Sequence, residues 1–216
     1  GYFGASREYA KFSDEESASA GGREDWKGAH DTNGDEKIDF RSEINVALSV
    51  NAAKRDLGVA RTNSPTDFTT QAFENFVAGR VLILAAGDTL TAGELTQLEV
   101  HRDAIVAAWE GALAATVIHY VNEVVADMDK MGTPDYGYAT HAKHWSELKG
   151  FVLGLQFNPH GKSLDVLGDF HMKVGDSPVL ATATQAERDD YKTTLLAARD
   201  ALGTAMSFDE ELVEAW

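Results

Sequence analysis

The chain of 216 residues contains no cysteine. Thiolate catalysis, cysteine-ligated zinc and disulfide cross-links are therefore excluded. Compartment does not follow, because cytoplasmic and exported proteins alike can lack Cys. Proline is scarce, with four residues in all, and the frequent Ala, Leu and Glu favour helices. Basic side chains are few: 19 Lys and Arg stand against 35 Asp and Glu, a formal net charge of -16. That balance speaks against a nucleic-acid partner, because a phosphate backbone is held by clustered Lys and Arg. It fits a surface that attracts cations. No stretch reaches the ~18 apolar residues of a membrane span, so no transmembrane segment is expected. Alternation of period two is almost absent, which argues against strands. His-Glu-x-x-His, Gly-x-Ser-x-Gly, a phosphate loop and a dinucleotide fingerprint are all missing. Ser-His-Asp catalysis has no local support, although such triads need not be local.

What is present reads as helices. The chain is 44% hydrophobic, enough for a sizeable core, and the expectation is a single helical domain over residues 1–216. Tyr2, Phe3, Ala5 and Tyr9 read as the end of an amphipathic helix, so a preceding segment of the full-length protein, carrying a signal peptide or lipid anchor, is expected to be missing. Residues 13–22 are small, acidic and Gly-rich, a loop composition. Ile44, Ala47, Leu48 and Ala52 recur at helical spacing up to Gly58. Thr66 or Asp67 can cap a helix running to about Ala86, with Gly87 after it. Thr91-x-x-Glu94 is a capping box. The periodic pattern then continues to Met131, as one long helix or two meeting near Gly111. Gly132-Thr133-Pro134 ends it. Further helices are expected over 136–157, 163–170 and 185–206, the last capped by Thr184. The fold class is all-α, an antiparallel bundle with short loops.

Residues 31–40, "DTNGDEKIDF", resemble the opening of an EF-hand loop. That loop takes oxygen ligands at positions one, three, five, seven, nine and twelve, with Gly at six. Asp31, Asn33 and Asp35 fill the first three, Lys37 offers its carbonyl, and Asp39 reaches the ion directly or through water. Ile38 occupies the hydrophobic position. Two departures stand out. Glu36 occupies the sixth position, where a left-handed backbone costs an L-residue about 1 kcal/mol. Ser42 occupies the twelfth, with the carboxylate one residue later at Glu43. The competing explanation is an Asx-rich turn that caps a helix. With one such loop visible, a structural Ca2+ site is expected rather than a sensor.

A second constellation lies on two helices. His119 and Glu123 stand at i, i+4, and His141, His144 and Glu147 form one polar stripe. His–carboxylate pairs on facing helices are how bundles build metal sites, and imidazole with carboxylate suits Fe or Zn. The bland alternative is a set of surface ion pairs and hydrogen-bonded core histidines.

The strings "GYFGASREY", "DTNGDEKIDFRSEINVALSVNAAKRD", "WEGALAATVIHYVNEVVADM" and "HWSELKGFVLGLQFNP" resemble a bacterial domain-of-unknown-function family of exported or lipid-anchored helical proteins, distantly similar to imelysins. The resemblance covers most of the chain up to Pro159. It implies an all-helical, periplasmic or cell-surface protein. Imelysin-like proteins carry Gly-x-His-x-x-Glu, linked to metal handling and iron uptake. Here His144 and Glu147 match, while Ala142 replaces the Gly.

The leading expectation is an exported helical protein that binds metal or another ligand and is stabilised by a calcium loop, with no catalytic residue assigned. Two alternatives stand beside it. One is an imelysin-like metallohydrolase with His ligands and a Glu general base. The other is a calcium-stabilised surface scaffold with no transition-metal site.

Overall fold

In the computed structural model, the described residues are 34–37, 51–52, 54–56 and 66–216. Contacts divide the chain into two compact units, one of residues 1–60 and 65–112, the other of residues 61–64 and 113–216. Among the described residues the secondary structure is helical, with no strand.

The first unit contains helical residues at 51–52 and 54–56, helix α1 (Phe68–Ala86) and the first part of helix α2 (Ala92–Asp129). The start of α1 is held twice. The Asp67 side chain accepts from Thr70 N at 3.1 Å. The Asp56 carboxylate, from the preceding helical stretch, accepts from Phe68 N and Thr69 N, each at 2.9 Å, and from the Thr66 hydroxyl at 3.0 Å. First-turn N–H groups have no partner within their own helix, and a carboxylate there also meets the positive end of the helix dipole. Burial pushes the Asp56 carboxyl above its ordinary value, while these hydrogen bonds pull the other way. Gly87 ends α1 at φ +70°, a backbone that glycine adopts without penalty. The capping box opens α2: Thr91 N donates to Glu94 Oε2 at 2.7 Å and Glu94 N to Thr91 Oγ1 at 3.3 Å.

Helix α2 runs 38 residues without a break, so Gly111 is not the junction of two helices. It is a notch for an aromatic ring: a Cβ there would lie 2.5 Å from Phe68 Cε1. Phe68, Ala72, Ile105, Ala108 and Ala112 are buried around it. By length and composition α2 is also long and apolar enough to cross a membrane, although no ~18 consecutive residues of it are all apolar. In its most apolar window 61% is buried inside the protein.

The second unit comprises the rest of α2 with α3 (Tyr138–Leu155), α4 (Leu164–Val174), α5 (Gln185–Met206) and α6 (Glu210–Ala215). Val117, Ile118, Val121 and Val124 of α2 are fully buried, as are Leu148 and Val152 of α3 and Leu195 of α5. Each such side chain contributes about 1.5–3 kcal/mol relative to exposure. Helix α4 packs against α3 and α5, and α6 against α5. The carbonyls of Val213 and Trp216 both accept from Asn122 Nδ2, at 3.0 and 2.8 Å, and Arg199 Nη1 donates to Asn122 Oδ1 at 2.9 Å. These bonds fasten α6 to α2 and α5. Trp145 Nε1 donates to the Tyr191 hydroxyl at 3.0 Å, which donates to Val174 O at 2.8 Å. Burial pushes the Tyr191 phenol up to about 12.

Most expected boundaries agree with the observed ones. Helix α5 spans the expected residues and carries the Thr184–Glu187 capping box. Helix α4 continues to Val174 rather than stopping at Phe170, because Phe170 and Val174 are buried one turn apart on the same face. Helix α6 was not anticipated. Its buried Leu212 and Val213 are too few to give a periodic signal, and its place depends on Gly203, where a Cβ would lie 2.6 Å from Val213 Cγ2.

Candidate functional site

The last two turns of the α2 pattern and the start of α3 bring Glu123, Asp127, Lys130 and His144 together in the second unit. Glu123 and Asp127 stand at i, i+4 on α2 and therefore share a face. The turn through Gly132, at φ +87°, sends the chain back to α3, which carries His141, His144 and Glu147.

Asp127 is the centre of the cluster, and the sequence reading did not include it. Its side chain is 5% exposed. Its Oδ2 lies 2.7 Å from His144 Nδ1 and its Oδ1 accepts from Lys130 Nζ at 3.1 Å. Glu123 Oε2 stands farther off, 3.8 Å from the same His144 nitrogen. An ionised carboxylate only accepts, so in the neutral imidazole the proton sits on Nδ1 and Nε2 carries the lone pair. Asp127 thus sets the tautomer of His144 as well as its orientation. Such a carboxylate–histidine pair serves either a metal ligand or a general base acting through Nε2. The stripe His119, Glu123, Asp127, each four residues on, was the signal that would have found it.

His141 is fully buried on α3. Its Nδ1 lies 3.1 Å from the Tyr136 hydroxyl, and its Nε2 is buried with no hydrogen-bond partner. Burial pushes its pKa below the ordinary value. The Asp127 charge opposes that shift and His144 adds to it. Burial also raises the Tyr136 phenol. Glu147 Oε2 lies 3.8 Å from Lys143 Nζ, and that oxygen is buried without a hydrogen-bond partner. His119 meets the edge of Tyr120, with ring centres 5.0 Å apart. Tyr120 stacks on Phe151 at 5.6 Å and lies 6.2 Å from the His144 ring.

Of the five residues expected at a second metal site, then, the fold brings only Glu123 near His144, at 3.8 Å and beside the closer Asp127. It leaves the donors of His119, His141 and Glu147 in other surroundings. Both carboxylates approach Nδ1, the ring nitrogen that already holds a proton, which is the geometry of an ion pair. Among the described residues no three His, Asp or Glu side chains are arranged to hold a metal ion.

Of the calcium-loop residues, Asp35 and Lys37 are described, while Asp31, Asn33, Asp39 and Glu43 lie outside the described residues. Asp35 Oδ1 accepts from Lys37 N at 2.9 Å, an Asx turn. Gly34 and Glu36 both have positive φ, +73° and +63°. The left-handed backbone therefore falls on the sixth position, where the EF-hand pattern has its glycine.

No protein-family model, curated protein or solved structure matches the chain.

Proposed function

We propose that this is a non-catalytic, exported helical binding protein whose loop at residues 31–43 takes a structural calcium ion. The observation that carries the reading is Glu36 at φ +63°. A glutamate in that region bears a cost of about 1–2 kcal/mol, and such strain persists only where the surroundings impose it. A calcium loop supplies that reason, since its sharp turn falls at this position. Asp31, Asn33, Asp35 and Asp39 would offer side-chain oxygens, Lys37 its carbonyl, and Glu43 the late carboxylate. Outside the cell, calcium is plentiful enough to fill a site with a dissociation constant of about 0.1–1 mM.

Thermal unfolding with calcium and with a chelator tests this. At calcium about a hundredfold above the dissociation constant, linkage adds about 2.7 kcal/mol. The increment should vanish in Asp35→Ala. Unfolding that calcium leaves unchanged would refute the reading.

A second reading adds a transition metal, iron or zinc, at His144, in keeping with an imelysin-like role in metal uptake. The oriented Asp127–His144 pair, which leaves the Nε2 lone pair available, favours it. Metal analysis of the purified protein, repeated on His144→Ala, decides between this reading and a scaffold that holds calcium alone.

A further inference from the structure

The first unit carries a groove of about 480 Å³ between α1 and the start of α2. That size lies within the range of small-molecule sites. Phe76, Leu98, Ile105 and Trp109 are among its walls. Gly79 lets the two helices approach, because a Cβ there would lie 3.3 Å from Leu98 Cδ1. Ile83 and Leu84, which also line the groove, are 49% and 72% exposed. These apolar side chains are left facing water in a chain that buries many others.

The charge in the groove runs opposite to that of the protein. Arg80, His101 and Arg102 are the only basic residues between positions 66 and 112, and all three line it. None of the acidic residues in that stretch does. Arg102 pairs with Asp103 at 2.8 Å and more loosely with Glu99 at 3.7 Å, in each case between well-exposed side chains. Water screens such pairs, and they yield readily to a better-placed anion. The amide of Asn75 donates to Gln71 O at 2.8 Å, which turns its oxygen toward His101 Nδ1, also at 2.8 Å. That contact puts a proton on Nδ1 and leaves Nε2 as an acceptor, so the groove's donors to an anion are the two guanidinium groups.

We propose that this groove binds a free long-chain fatty acid, with the acyl chain along the apolar walls and the carboxylate at Arg80 and Arg102. Apolar surface alone would accept any hydrophobic molecule. The concentration of cationic groups in an otherwise acidic protein selects one with a negative head, since an Arg side chain pairs with a carboxylate through two parallel hydrogen bonds.

Calorimetry on the full chain with dodecanoate, dodecanol and dodecyltrimethylammonium, each below its micelle concentration, tests the proposal. Dodecanoate should bind one to one, about tenfold or more tighter than the alcohol, and the cation should bind weakest. Across decanoate, dodecanoate and tetradecanoate, affinity should rise about fourfold per methylene. Arg80→Gln with Arg102→Gln should erase the preference for the acid. Ile83→Glu, at an exposed position, should abolish dodecanoate binding. Far-UV circular dichroism checks that the variants fold, and if either does not, the head-group series on the unaltered chain decides. Equal affinity for acid and alcohol, no saturable binding, or binding untouched by both variants would overturn the proposal. So would self-association of the chain that Ile83→Glu abolishes while dodecanoate fails to bind, since a second copy would then be the occupant.

Discussion

Asp127→Asn isolates the contact on which the second unit's polar cluster depends. The substitution preserves shape and removes charge. The Asn oxygen can still accept from His144 Nδ1, but its amide then faces Lys130 Nζ, donor against donor. Removing one partner from a fully buried ion pair costs about 3–5 kcal/mol. That figure is an upper bound here. The Lys130 side chain is 47% exposed and can turn to water. What remains is the loss of hydrogen bonds to a charged group, at about 1.5–3 kcal/mol. For a chain of this size that lowers the melting temperature by about 3–12 °C. Urea unfolding should be followed for Asp127→Asn, His144→Gln and the double variant. The two residues touch, so their effects should fail to add by about 0.5 kcal/mol or more. A loss below about 0.5 kcal/mol for Asp127→Asn, or strict additivity, would refute the argument that Asp127 holds His144 in place.

Three further outcomes follow from the packing and titration of particular residues. Asp56→Ala removes a carboxylate that caps α1 from outside the helix and should cost about 1–2 kcal/mol in urea unfolding; an unchanged midpoint would show that Asp67 caps the helix alone. Gly111→Ala gains helix propensity of about 1 kcal/mol but forces a methyl against the Phe68 ring, at about 1–3 kcal/mol, so a net loss of stability is expected and a gain would contradict the notch. Burial holds both His141 and His171 below the ordinary histidine value of 6.5. The unfolded chain then binds protons that the folded one refuses, so stability is full above that value and falls as pH drops below it. Urea midpoints between about pH 5 and pH 8 should show this decline, and His141→Leu should make it shallower.

The fold class was legible because helix ends are written in local chemistry. Asp67, Thr91 with Glu94, and Thr184 with Glu187 each cap a helix through bonds to residues three positions away, and Gly87 and Gly132 stop helices at positive φ. The continuity of α2 across Gly111 was not legible. A glycine in a helical pattern reads equally as a break or as room for a neighbour, and only the position of Phe68 distinguishes the two.

The sequence by itself determined that the protein is helical, and that its histidines and carboxylates share helix faces. Those properties follow from spacing along one element. Tertiary structure alone decided which faces meet. Asp127 and His144 lie 17 residues apart, and their contact depends on how α2 and α3 are rotated about their axes. Each residue turns a helix by about 100°, so the choice between Glu123 and Asp127 as partner rests on which side chains the core buries. The same holds for Arg80, His101 and Arg102, whose gathering at one groove depends on the register between α1 and α2.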